Sequence, residues 1–211
     1  MFNRYIAVVV ASFAPASAQA DLLDGGFESA DPFGWALFQG GIDTPWRTTA
    51  PDNLIEIWNG ANMGVPAYEG VNFAELNANY ASTLYQDVSG LGDFQTINWK
   101  FAHRGRFGVD TMRLTITDLG WDQVVGGDGV DTVLFQQEFS ADNLAWVSHF
   151  GSVVSIGNLT RFAFEAISAE GGSTQGNFLD DCGFGTTVIP SPGPASLMGI
   201  AGLLGLMRRR R

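Results

Sequence analysis

Segments rich in Val, Ile, Thr, Phe, Tyr and Trp recur along the chain, separated by clusters of Gly, Asp and Asn, with no long stretch of helical period. The pattern predicts strands at Leu54 to Trp58, Asn72 to Asn77, Thr83 to Val88, Gln95 to His103, Met112 to Asp118, Thr132 to Phe139, Ala145 to Val154, Arg161 to Ile167 and Gly176 to Phe184. In Arg113-Leu114-Thr115-Ile116-Thr117 the alternation is clean, with Leu114 and Ile116 turned inward and the threonines outward. About nine strands spaced by turns predict an all-β fold, a two-layer antiparallel β-sandwich. No internal repeat breaks this pattern.

The two ends differ in kind from the middle. Arg4, the largely apolar run from Tyr5 to Phe13, and Ala18-Gln19-Ala20 before Asp21 have the layout of a signal peptide, so residues 1–20 are expected to be removed. At the other end, residues 189–211 join a Pro/Ser/Gly spacer, a short apolar helix segment from Ala195 to Met207, and Arg208 to Arg211. That segment is shorter than the roughly 20 residues a helix needs to cross a bilayer's hydrocarbon core. The arginines would hold the extreme C-terminus on the cytoplasmic side. The interval 21–188 remains, enough for one domain with a proper core. In its order of parts the tail resembles the PEP-CTERM sorting signal of bacterial envelope proteins, with Pro190-Ser191-Pro192-Gly193 in place of the usual Pro-Glu-Pro. The resemblance implies an exosortase-type processing enzyme as partner and transient anchorage in the inner membrane. The chain would then be exported to the cell envelope or the extracellular space. An ordinary C-terminal membrane anchor is the alternative, since a thinned bilayer accommodates a short segment.

Charge narrows the partners. All 22 acidic residues lie in 21–188 against six basic ones, a net charge of −16, which disfavours nucleic acid and anionic membrane. Such acidity suits either a solvated surface or divalent cations. Cys182 is alone, so neither an internal disulfide nor a thiolate metal site is available. Only His103 and His149 offer imidazole, and neither a Gly-x-Ser-x-Gly elbow nor a phosphate-cradling glycine loop occurs.

Three segments carry a further resemblance: Leu23-Asp24-Gly25-Gly26-Phe27-Glu28 with Gly34-Trp35, then Ala67-Tyr68-Glu69-Gly70, and finally Gly176-Asn177-Phe178-Leu179-Asp180-Asp181. Together they look like the galactose-binding-like jelly roll of many carbohydrate-binding modules. The resemblance implies a structural Ca²⁺ held by Glu28 with Asp180 or Asp181. Adjacent strand residues point to opposite faces, so one of the two aspartates should face the ion. Two carboxylates brought together need a cation or hydrogen-bond donors to offset their repulsion. A second acidic group, Asp122, Asp128 and Asp131, is expected in a solvated hairpin loop.

Parity also sorts candidates for a ligand. Glu56 and Trp58 share the non-core side of one strand, and Glu75 and Asn77 share that of the next. These four are expected to form a carbohydrate-binding surface ringed by His103, Arg104 and Arg106. Trp35, Trp99 and Trp146 are assigned to the core, Trp46 and Trp121 to a loop-built rim, and Trp58 to either the core or the surface. The expected function is a non-catalytic module binding extracellular polysaccharide or another glycan. The alternatives are a structural or biofilm-matrix protein without a small ligand, and a glycoside hydrolase using Glu56 and Glu75 at the roughly 5 to 9 Å such chemistry needs.

Overall fold

The computed structural model describes residues 21–157 and 159–186; the expected leader (1–20) and sorting tail (189–211) lie outside the described residues. Among the described residues the chain forms strands β1 Trp35–Gln39, β2 Arg47–Thr48, β3 Leu54–Asn59, β4 Asn72–Glu75, β5 Thr83–Ser89, β6 Thr96–Arg104, β7 Asp110–Asp118, β8 Thr132–Ala141, β9 Val147–Val154, β10 Leu159–Ser168 and β11 Phe178–Gly185, with one helical turn, α1 Gly60–Met63, after β3. They pair antiparallel in two sheets, ordered β1-β3-β4-β11-β6-β9 and β2-β5-β10-β7-β8. This is the expected all-β jelly-roll sandwich. All nine expected strands are present. The two additional ones left little pattern to read, because β1 (Trp-Ala-Leu-Phe-Gln) scarcely alternates and β2 has two residues.

Period-two alternation fills the space between the sheets. Ile55, Ile57, Ile97, Trp99, Phe101, Leu179 and Phe184 from one sheet meet Leu84, Met112, Leu114, Ile116, Phe162 and Phe164 from the other, all buried. Trp46 corrects the rim assignment. It is fully buried, its ring stacked on Phe27 at 5.3 Å and its indole N–H donating to the Asp24 carbonyl at 2.9 Å, so it belongs to the core that the opening segment closes. Trp35 is corrected the other way, because it stands on the outer face of edge strand β1 and is 53% exposed. Trp121 is exposed in the loop after β7.

The opening segment runs beside β11 beyond the point where β4 ends. Leu22 N–H donates to the Phe184 carbonyl and Cys182 N–H to the Gly25 carbonyl. That contact explains the glycine pair in the opening motif. A Cβ on Gly25 would lie 1.8 Å from the Cys182 carbonyl oxygen, so only glycine permits the approach.

Candidate functional site

The outer face of the six-stranded sheet carries the residues that alternation singled out, and it divides into a covered half and an open half. On the covered half Glu56 lies opposite Glu75 in the β3–β4 register and Trp58 opposite Phe73. The parity is as expected, yet these side chains do not form an open surface. Trp58 is only 5% exposed, packed with Phe73 and Phe178 beneath Met63, Val65, Ala67 and Trp146. Chain between β3 and β4 folds back over the face, and Trp146 donates its indole N–H to the Pro66 carbonyl at 2.8 Å to hold that cover. Trp146 therefore belongs to this smaller outer cluster.

Under the cover sits a buried charge cluster. Arg106 Nη1 reaches both Glu75 oxygens at 2.9 Å, the Gly176 N–H donates to Glu75 Oε1 at 2.6 Å, and the Trp58 indole N–H donates to Glu56 Oε1 at 2.7 Å. The guanidinium lies between the Trp58 ring (4.7 Å) and the exposed Phe107 ring (4.9 Å). Burial pushes the Glu75 carboxyl up to about 7, the nearby Glu56 charge adds to the rise, and Arg106 opposes it. Burial also raises Glu56, against the lowering effect of its hydrogen bond from Trp58. One guanidinium thus serves two facing carboxyls. The arrangement favours a proton on the pair and presents neither carboxyl to a polymer in solvent.

The remaining expected site residues are dispersed. His103 follows Phe101 onto the inner side and is fully buried, where desolvation lowers its pKa to about 4. Asn177 Nδ2 donates to Asn77 Oδ1 and to the Ser168 carbonyl, so its Oδ1 accepts from His103 Nε2 at 3.0 Å. Asn77 and His103 are consequently interior members of one polar chain. Asp110 ties that chain to the Arg106 loop, accepting from the N–H groups of Arg106, Glu170 and Asn177. Arg104 is on the outer face, opposite Phe178 in register, and its guanidinium donates to the Asn143 carbonyl at 2.6 Å.

The residues expected at an ion separate clearly. Glu28 Oε1 accepts from the N–H groups of Val71 and Asn72, and Asp180 Oδ2 from those of Tyr68 and Glu69, so both carboxylates clamp one loop to the strands. Asp181, in the β11 bulge, pairs instead with Lys100. Around Gly26 an added Cβ would lie 2.8 Å from Glu69 Oε2 and 3.9 Å from Asp180 Oδ1, which brings a third carboxylate close. Burial raises Asp180 to about 7 against the lowering effect of its amide donors. Among the described residues no group of three or more His, Cys, Asp or Glu side chains is set to hold a metal ion. In the other acidic loop, Asp122 accepts from Gly129 and Val124 N–H groups and Asp131 from Gly126, so those carboxylates cap the loop's own turns.

The open half spans β11, β6 and β9. Lys100 lies opposite Phe150, Asn98 opposite Ser152, and Ala102 opposite Ser148, with Gly183 on the other flank of Lys100. Phe150 is 62% exposed. Gly183 and the small side chains of Ser148 and Ser152 flank an aromatic ring, an ammonium, an amide and the Asp181 carboxylate. Sequence reasoning missed this patch although parity alone puts Asn98 and Lys100 on the non-core side of β6. The missing fact was that β9 is the neighbour of β6, which brings Phe150 beside them. On the other sheet's outer face the charges are engaged with one another, Arg161 with Asp87 and Arg113 with Glu138 and Glu165, while Arg161 also covers the Tyr85 ring at 3.9 Å.

No family model and no curated protein matches this chain. Solved structures do. TmCBM61, solved in complex with β-1,4-galactotriose, is 14% identical with a TM-score of 0.49, over 77% of this chain and 95% of that one. The CBM22-1 xylan-binding domain from Paenibacillus barcinonensis Xyn10C is 12% identical with a TM-score of 0.48, over 83% of this chain and 99% of that one. The C-terminal family 22 carbohydrate-binding module of Clostridium thermocellum Xyn10B is 14% identical with a TM-score of 0.46, over 76% of this chain and all of that one (100%). These are likenesses of fold; the sandwich described above stands on its own strand pairing.

Proposed function

We propose that the chain is an exported, non-catalytic glycan-binding β-sandwich whose ligand surface is the open half of the outer face. The observation that carries this reading is the exposed Phe150 ring in register with Lys100, next to Asn98 and Asp181, with no covering loop among the described residues. An exposed ring offers a platform for the C–H face of a pyranose. Asn98 and Lys100 can donate to ring hydroxyls, and the Asp181 carboxylate can accept from one. A binding role also agrees with the state of Glu56 and Glu75, which are buried and facing, Glu75 paired with Arg106 and Glu56 holding the Trp58 indole N–H.

Export through residues 1–20, sorting by an exosortase-type enzyme through residues 189–211, and a final place in the envelope or extracellular matrix belong to the same proposal. So does a structural Ca²⁺, with Glu28 and Asp180 as its carboxylate ligands. The test of the glycan reading is polysaccharide binding measured by calorimetry on wild type, Asn98→Ala and Lys100→Met. At least about a tenfold loss of affinity in each variant, equivalent to 1.4 kcal/mol, is expected, with an unchanged melting curve for Asn98→Ala and with Lys100→Met, which unpairs Asp181, still folded at the assay temperature. Equal affinity in all three, or no binding to any acidic or neutral polysaccharide, would overturn it.

A further inference from the structure

Among the described residues, strand β9 is an edge without the devices by which the other edges are protected. β1 and β2 are short, five and two residues. β8 is long, but its pairing with β7 is bulged between Ile116 and Thr117 and it carries Glu138. β9 runs eight residues, Val147–Val154, and pairs with β6 without a register shift. It reads Val-Ser-His-Phe-Gly-Ser-Val-Val, with no Pro, Lys, Arg, Asp or Glu, and Val147, Phe150 and Val154 are exposed. In a chain with 22 acidic residues, none falls between positions 143 and 164. Every second residue of an edge strand turns its N–H and C=O outward. Among the described residues no backbone group on that side of β9 meets these. A long, unbulged, uncharged edge of this kind is a template for strand pairing.

We propose that β9 pairs antiparallel with β9 of a second copy of this chain about a two-fold axis at Phe150, joining two six-stranded sheets into one. The self-complementary spacing of β9 about Phe150 argues for this occupant, and charge singles out the edge. Two molecules that each carry −16 over residues 21–188 repel across most of their surface, and β9 is where they meet without apposed carboxylates. The register follows from the side chains. A two-fold axis normal to the sheet keeps both outer faces on one side and requires paired residues of equal parity. With Phe150 opposite Phe150, Ser148 meets Ser152 and Val147 meets Val153, each like with like. Centring on Gly151 instead sets Ser148 against Val154 and Phe150 against Ser152, apolar against polar. Cross-strand aromatic pairs favour the first. The two open outer faces then adjoin around paired Phe150 rings, giving a longer glycan surface; that consequence rests on the glycan reading, and the pairing itself does not.

The test is the oligomeric state of the full chain without glycan, by sedimentation equilibrium. A concentration-dependent dimer is expected, and Phe150→Lys, which sets like charges directly opposite, should raise its dissociation constant at least about tenfold. Because Phe150 is exposed, that variant should keep the wild-type melting curve at concentrations where wild type is monomeric. Directly opposed antiparallel residues have Cα atoms within disulfide reach. Phe150→Cys should therefore oxidise to a covalent dimer, with buried Cys182 inert, whereas Ser140→Cys on the exposed β8 should not. A monomer at all concentrations would overturn the proposal, as would a dimer that survives Phe150→Lys. A Phe150→Cys chain that stays unlinked overturns the two-fold register on which it stands. Loss of glycan binding with intact dimerisation would strike only the functional reading.

Discussion

Glu75 offers the sharpest perturbation, because its environment ties stability to pH with a definite sign. The carboxyl is buried, faces Glu56 and is held at about 7 in the folded chain, against 4.5 as the ordinary value. The folded state therefore binds the proton more tightly than the unfolded one. The stabilisation is fully present below 4.5 and is lost as pH rises through about 7. A rise from 4.5 to about 7 corresponds to roughly 3 kcal/mol of differential proton binding. Glu75→Gln mimics the protonated form. Its amide oxygen can keep the Gly176 N–H and an Arg106 N–H, while its NH₂ can donate to Glu56. Wild type should thus lose stability relative to the variant between pH 4.5 and 7.5, by up to roughly 3 kcal/mol. For a domain of this size that is about 6 to 12 °C in melting temperature. Melts of both proteins by circular dichroism across that range read the difference directly and cancel the contribution of carboxyls remote from this pair; what remains belongs to Glu75 and its partner Glu56. A difference between the two that does not change with pH would refute the argument.

Other perturbations follow from the same geometry. Trp58→Ala should cost about 3 to 5 kcal/mol, because the ring is buried between Phe73, Phe178 and Arg106; an unchanged melting temperature would contradict that packing. If calcium binds the folded chain alone, a hundredfold excess over Kd should stabilise it by about 2.7 kcal/mol. Glu28→Gln should largely remove that shift and Asp128→Asn should leave it. Identical wild-type melts in calcium and in chelator would dispose of the ion, and a shift abolished only by Asp128→Asn would move it to the other loop. Deleting Arg208 to Arg211 should prevent sorting while leaving the melting curve of the domain unchanged. Fractionation with the mature C-terminal mass checks this, and the same compartment and mass as wild type would refute the sorting-signal reading.

Alternation in Leu54 to Trp58 and in Met112 to Asp118 was enough to assign strands, inner faces and the sandwich, because side-chain direction in a strand depends only on local backbone geometry. It also assigned Glu56 and Trp58 correctly to the outer side of their sheet. Alternation has no access to what lies above a face. The chain between β3 and β4 folds back over Trp58, and Arg106, remote in sequence, docks on Glu75; both are long-range contacts that parity does not encode. Trp46 was misread for the same reason, since its Pro-containing surroundings signalled a loop while the opening segment, from a distant part of the chain, buried it. Asn98, Lys100 and Phe150 were all visible as outward residues, but only the pairing of β6 with β9 makes them neighbours. The sequence by itself determined nine of the eleven strands, the inner and outer faces of most of them and the acidic character of the domain. The tertiary structure alone decided which outer face is open and which carboxyls are buried facing one another beside Arg106, because those depend on contacts between segments far apart in the chain.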